Sequence, residues 1–180
     1  MAAWAFEVYV RRQARRHFAG MHLAAMSGAA LERTALERTA LDGALPTICV
    51  ANHTNWWDGF LAYLVTRSAG RGFRVLMEAR QLARYGFFLH GGALPLRRDS
   101  PRGAYEDLAA ARAHLEAGTA LWIFPQGGRR PAAEPIVHCE RGAAHLALGV
   151  GRPVRICPVG FRYAFLGEQR PEAFALVGEP

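Results

Sequence analysis

The sequence predicts a single α/β domain in which a central, largely parallel mixed sheet is flanked by helices. Three observations carry this prediction. After Pro46, short apolar runs alternate with longer amphipathic stretches, as strands joined by helical crossovers do. The stretches begin and end at recognisable helix signals. At 180 residues and 51% hydrophobic, the chain suits one domain with a sizeable core and argues against disorder.

Each element follows from its own residues. The N-terminal stretch WAFEVYVRRQARRHFAGMHL mixes aromatics with cations, and Arg11, Arg12, Arg15 and Arg16 fall on one helical face. Two copies of the pentapeptide ALERT then run from Ala30 to Thr39, too few for a solenoid and compatible with a helix or an irregular linker. Gly43 and Pro46 close that segment. Residues 1–45 thus read as a basic amphipathic helical segment, and residues 46–180 as the main domain. Within it, TICVA is a short apolar run bounded by Pro and Asn, hence a buried strand. DGFLAYLVTRSA reads as a helix with Asp58 near its start, FRVLME as a strand, ARQLARYGFF as a short helix and GALPLR as a strand. SPRGAYEDLAAARAHLEAG carries the clearest helix signals, with Ser100 as cap, Pro101 in the first position and Gly118 at the end. TALWIF reads as a strand, CERGAAHLALGVG as a helix, and PVRICPVGF and FALVG as the last strands.

Composition narrows the chemistry. Twenty-two Lys+Arg stand against 15 Asp+Glu, a net charge of +7, and every one of the 22 is an arginine. Arginine forks onto phosphate, so the balance points to phosphate-bearing partners: nucleic acid, anionic membrane or a phosphorylated metabolite. A GC-rich genome favouring Arg and Ala codons is the bland alternative. Three scattered cysteines, Cys49, Cys139 and Cys157, form no CxxC, which argues against a disulfide framework or a cysteine zinc site. His17 with His22, and His138 with Cys139, lack ligand spacing, so no metal is expected. Neither GxGxxG nor GxxxxGK[ST] occurs. No apolar run approaches the roughly 18 residues that span a bilayer, so a membrane is expected to be met at its surface. There, each cation of the N-terminal helix would add about 1 kcal/mol against anionic lipid.

Two stretches point to a site. In ANHTNWWDGF, His53 follows a strand end, where α/β folds place ligands, and Asp58 comes five residues later. On one continuous helix the pair would be about 140° apart and would not meet. With a loop before Asp58, the carboxylate can turn back and orient the imidazole as a general base. The alternative is Asp58 as a helix cap and His53 as a turn residue. No GxSxG elbow is present and the cysteines sit in or beside apolar runs, so a base at His53 would act on a substrate hydroxyl. In LWIFPQGGRRP, an apolar run stops at a proline, two glycines free the backbone and two arginines follow. Arg97 and Arg98 close GGALPLRRDS on alternate faces, so at most one reaches a common site.

Taken in order, His53-x4-Asp58, Gly92-x-Leu94-x-Leu96-x-Arg98, Phe124-Pro125-x-Gly127-Gly128-Arg129 and Val154-x-Ile156-x-Pro158-Val159 resemble the four motif blocks of the glycerolipid acyltransferases, the 1-acyl-glycerol-3-phosphate acyltransferase family. The resemblance spans about residues 46–178. It implies a glycerol-3-phosphate acyltransferase-like α/β fold, peripheral on the cytoplasmic face of a membrane. It also implies transfer of a fatty acyl group from acyl-CoA or acyl-carrier protein, as co-substrate and with no cofactor, to a lysophospholipid hydroxyl. His53 would match the general base and Asp58 its partner, with Asn52 supporting the loop. Arg98 and Arg129 would match the phosphate ligands, Gly127 and Gly128 would let the backbone approach, and Pro158 would match the acyl-donor block. The four blocks, and the lack of a nucleic-acid-binding motif, set aside a nucleic-acid partner. One position departs from the pattern: Gln126 stands where the family usually carries Glu, keeping an acceptor oxygen and losing the charge. This leaves open an acceptor other than lysophosphatidic acid, such as another lysolipid or a glycolipid hydroxyl, or a lipid-binding relative without turnover.

Overall fold

A computed structural model of the chain describes residues 2–27, 30–32, 41, 45–136 and 138–179. Among these residues, the strands are β1 (Gly20–Ser27), β2 (Ala30–Glu32), β3 (Thr47–Ala51), β4 (Phe73–Glu78), β5 (Ala93–Leu96), β6 (Ala120–Ile123), β7 (Arg155–Ala164) and β8 (Glu172–Val177). They form one sheet in the order β2-β1-β8-β7-β3-β6-β4-β5. The neighbours from β7 to β5 all pair in parallel, as do β1 and β8. The β7–β8 and β1–β2 pairs are antiparallel, which makes the sheet mixed, as expected.

Helices α1 (Ala2–His17), α2 (Asp58–Ser68), α3 (Ala79–Arg84), α4 (Pro101–Glu116) and α5 (Gly142–Gly149) connect and cover the strands, with a 3-10 segment at Gly86–Gly91. Successive strand residues face opposite sides, so each strand feeds two cores. Cys49 and Trp122 pack with Phe6 and Val10 of α1 and Phe60 and Val65 of α2. Ile48 and Leu121 pack with Leu108 and Leu115 of α4 and Leu146 of α5. The buried Trp122 indole N–H is satisfied by Thr66 Oγ1 at 2.7 Å. In α4 the predicted start is present: Ser100 Oγ accepts from Gly103 N at 3.0 Å, and Pro101 opens the helix. The helix ends just before Gly118, whose φ is +85°.

The expectation of a helical segment over residues 1–45 holds only through His17. From Gly20 the chain is a strand, paired along β8 from Gly20 opposite Glu172 to Ala25 opposite Val177. Its small residues carry little local strand preference, and the long pairing outweighs that. The ALERT repeat begins in β2 at Ala30–Glu32, and its remainder lies outside the described residues. Helix α1 docks through Phe6, Val10 and Ala14, spaced four apart and buried, while Arg11, Arg12, Arg15 and Arg16 stay exposed. Glu7 ties α1 to α2 by accepting from Arg67 Nε at 3.2 Å, and the Arg11 guanidinium holds its carboxyl below the usual range. At the far edge, β5 pairs only with β4 and carries the exposed Pro95 opposite Met77.

Candidate active site

The parallel strands bring their carboxyl ends together, where open α/β sheets bind ligands. Strand β3 ends at Ala51, and Asn52 follows it. The Asn52 side chain donates to Phe161 O at 2.9 Å and accepts from Phe161 N at 2.7 Å, tying the end of β3 to β7. Residues 52–57 form a loop, and Asp58 is the first residue of α2. The loop reverses the chain, so His53 Nδ1 lies 2.8 Å from Asp58 Oδ2. Asp58 is fully buried yet caps no helix of its own; it accepts from the Thr54 and Asn55 amides at 2.6 and 2.8 Å, and from the Tyr163 hydroxyl at 2.6 Å. Both its oxygens receive hydrogens, so the proton between it and His53 belongs to Nδ1, leaving Nε2 as the basic nitrogen.

The loop after β6 forms the second wall. Phe124 stacks on the His53 ring with centroids 4.4 Å apart. Gln126 Oε1 accepts from His53 N, and Arg130 N donates to His53 O at 2.9 Å. Both backbone groups of His53 are therefore held by this loop. Gln126 is spent on that bond, which needs an acceptor oxygen and no charge. Arg129 lies over the Trp56 ring, 5.8 Å from its centroid, with no carboxylate partner among the described residues.

Of the two arginines after β5, Arg97 turns back to α4, bound to Asp107 and Glu106. Arg98 turns to the β6 loop, donating to Gly127 O and pairing with Glu140 at 3.1 Å. The φ of Gly127 is +70°, a conformation that favours glycine, and an added Cβ would lie 2.7 Å from Arg98 Nη2, pushing the movable end of that side chain aside. Gly128 has open space around it. Pro158 lies within β7 beside Val50, and its carbonyl accepts from Gly178 N at 2.8 Å, away from the hydrogen-bonded cluster at His53.

The structure brings the sequence-predicted His53, Asp58, Asn52, Arg98, Gln126, Gly127 and Arg129 to neighbouring loops and adds Tyr163 and Glu140 to them. Tyr163 continues the alternation Val159, Phe161 along one face of β7, a signal that was present. Glu140 carries no such signal. A cavity of about 600 Å³ opens at the other end of the sheet, where Phe73 and Ala93 begin β4 and β5. None of the residues of the hydrogen-bonded cluster at His53 lines it; that cluster sits instead at the strand carboxyl ends.

At the strand carboxyl ends the described residues thus bring together a buried carboxylate, a half-buried histidine behind which it sits, and arginines alongside. The chain belongs to the acyltransferase family, whose model matches residues 32–162, well over half of its length. In fold it is similar to the crystal structure of the 1-acyl-sn-glycerophosphate (LPA) acyltransferase PlsC from Thermotoga maritima. The TM-score is 0.60 and the identity 18%, covering 99% of this chain and 68% of that one. No curated protein sequence matches the chain.

Proposed function

We propose that the chain transfers a fatty acyl group from an acyl-CoA or acyl-carrier-protein thioester to a hydroxyl of a lysophospholipid, lysophosphatidic acid-like in form. The observation that carries this reading is the His53–Asp58 contact of 2.8 Å at the end of β3. Nε2 takes the acceptor's hydroxyl proton as the oxygen attacks the thioester carbonyl. The C–S bond then breaks, and the imidazolium returns its proton to the departing thiolate. Asp58 keeps the imidazole in the required tautomer and steadies its positive form. Arg98 and Arg129 face the acceptor's phosphate, with Gly127 and Gly128 leaving room for it.

Labelled acyl-CoA incubated with a panel of lysolipids tests the reading. Transfer by the parent protein, falling about 10² to 10⁴-fold in His53→Ala, is expected. No transfer to any acceptor, or an unimpaired variant, overturns it.

A second reading of the acceptor has its own support. Gln126 is engaged with His53 N, and Arg98 is already paired with Glu140, so fewer groups are free for a phosphomonoester than the motif implies. A lysolipid with a substituted phosphate, or a glycolipid hydroxyl, fits that balance. Either acceptor lives in a membrane, and we place the protein peripherally on the cytoplasmic face. Trp4, Val8, Tyr9, Phe87 and Leu89 are exposed on α1 and the adjoining 3-10 segment, beside the arginines of α1. Aromatic and basic residues on one helix suit the headgroup layer. Among the described residues, no helix is long and apolar enough to cross a membrane.

A further inference from the structure

We propose that Tyr163 is a positioning residue for the His53–Asp58 pair, holding Asp58 Oδ1 and thereby setting how strongly His53 attracts a proton. The proposal rests on the reading of His53 as base. Three donors converge on Asp58 Oδ2: His53 Nδ1 and the Thr54 and Asn55 amides. Among the described residues the other oxygen has one donor, the Tyr163 hydroxyl at 2.6 Å. Asp58 is inaccessible to solvent, so its second lone-pair set depends on that phenol.

Tyr163 reaches Asp58 from β7, 105 residues away in sequence. Its ring is held by Phe18, which stacks on it with centroids 5.8 Å apart, and Phe18 in turn meets Trp57 edge-on at 5.0 Å. The phenol is therefore positioned by packing and not by Asp58 alone. Burial, with the Asp58 carboxylate beside it, pushes its ionisation well above the usual tyrosine range, so it is a donor at every working pH. A donor on Oδ1 draws charge away from the carboxylate and weakens its pull on an imidazolium at Nδ1. Without it, protonated His53 persists to higher pH. Asp58 is the charged group in contact with the imidazole. The other titratable groups nearby are Arg98 with Glu140, Arg129, Arg130 at the His53 carbonyl, and His17 behind Trp57; a change at the Tyr163 hydroxyl leaves all of them in place.

Tyr163→Phe keeps the ring and removes the hydroxyl. The titration of His53, followed by imidazole NMR on the full chain without substrate, is expected to move up by about half a pH unit or more. The acidic limb of the kcat/KM profile moves with it, so that kcat/KM at a pH below that limb falls about threefold or more while the acceptor's KM holds. Fluorotyrosine at position 163, a stronger donor in the same shape, moves both in the opposite direction. A purely structural role predicts a lower Tm with the titration and pH profile unchanged, and that result, or shifts of the wrong sign, overturns the proposal. If the parent protein transfers no acyl group, the function reading fails, while the NMR titration still decides the Tyr163 link.

Discussion

At the scale of single residues, the site is a set of commitments already made. Gln126 and Arg98, both expected to meet the acceptor, are engaged with His53 N and with Glu140. The Arg98–Glu140 pair is partly exposed, and such pairs are weak, so an arriving phosphate can displace the carboxylate but must compete with it. Glu140→Gln is therefore expected to lower the KM of a phosphomonoester acceptor several-fold and leave kcat alone, as steady-state kinetics on lysophosphatidic acid would show. Asp58→Asn should be far more severe. An amide would set its own hydrogens against donors from Thr54, Asn55 or Tyr163, costing about 1–3 kcal/mol of stability and at least about 10²-fold in kcat; calorimetry and turnover check both. The sequence showed the His53–Asp58 pair because its partners lie in one short loop. The inward face of Tyr163 is written in the alternation of β7, but its meeting with Asp58, like that of Glu140 with Arg98, arises only in the tertiary structure.

At the scale of elements, helix α4 shows how local signals decide local structure. Ser100 satisfies Gly103 N, so Ser100→Ala should cost about 1 kcal/mol in denaturant titration. Arg97 clips β5 to α4 through Asp107, whose carboxyl the Arg97 guanidinium holds below its usual range. A carboxyl lowered in the folded state stabilises above the ordinary Asp value, about 3.9, and that contribution disappears as pH falls through the lowered value. Asp107→Asn should thus reduce Tm at neutral pH, and the difference from the parent should shrink as pH falls below the ordinary Asp value, a convergence that thermal scans would reveal. The strands of the parallel centre were legible because burial on both faces writes them as continuous apolar runs, as in TICVA and ALWI. Strand β1 was not, since GMHLAAMS owes its form to the partner β8 and not to its own side chains. The same holds at the C-terminus, where β8 begins at Glu172, two residues before the apolar run that announced it.

At the scale of the molecule, α1 joins the two halves of the proposed work. Its inner face is core, and its outer face shows Trp4, Val8 and Tyr9 beside exposed arginines. Replacing Trp4 with Ala should weaken sedimentation with anionic vesicles several-fold while barely moving Tm, because this side chain is already largely in water. High salt should weaken the parent protein in the same assay. A protein that gathers on a surface reaches high local density there, and any open strand edge becomes an invitation to neighbouring copies. The β5 edge declines it: Pro95 offers no N–H, and the strand is only four residues long. On the membrane surface proposed above, the one proline in GGALPLRR would thus keep crowded molecules from knitting their sheets together at this edge.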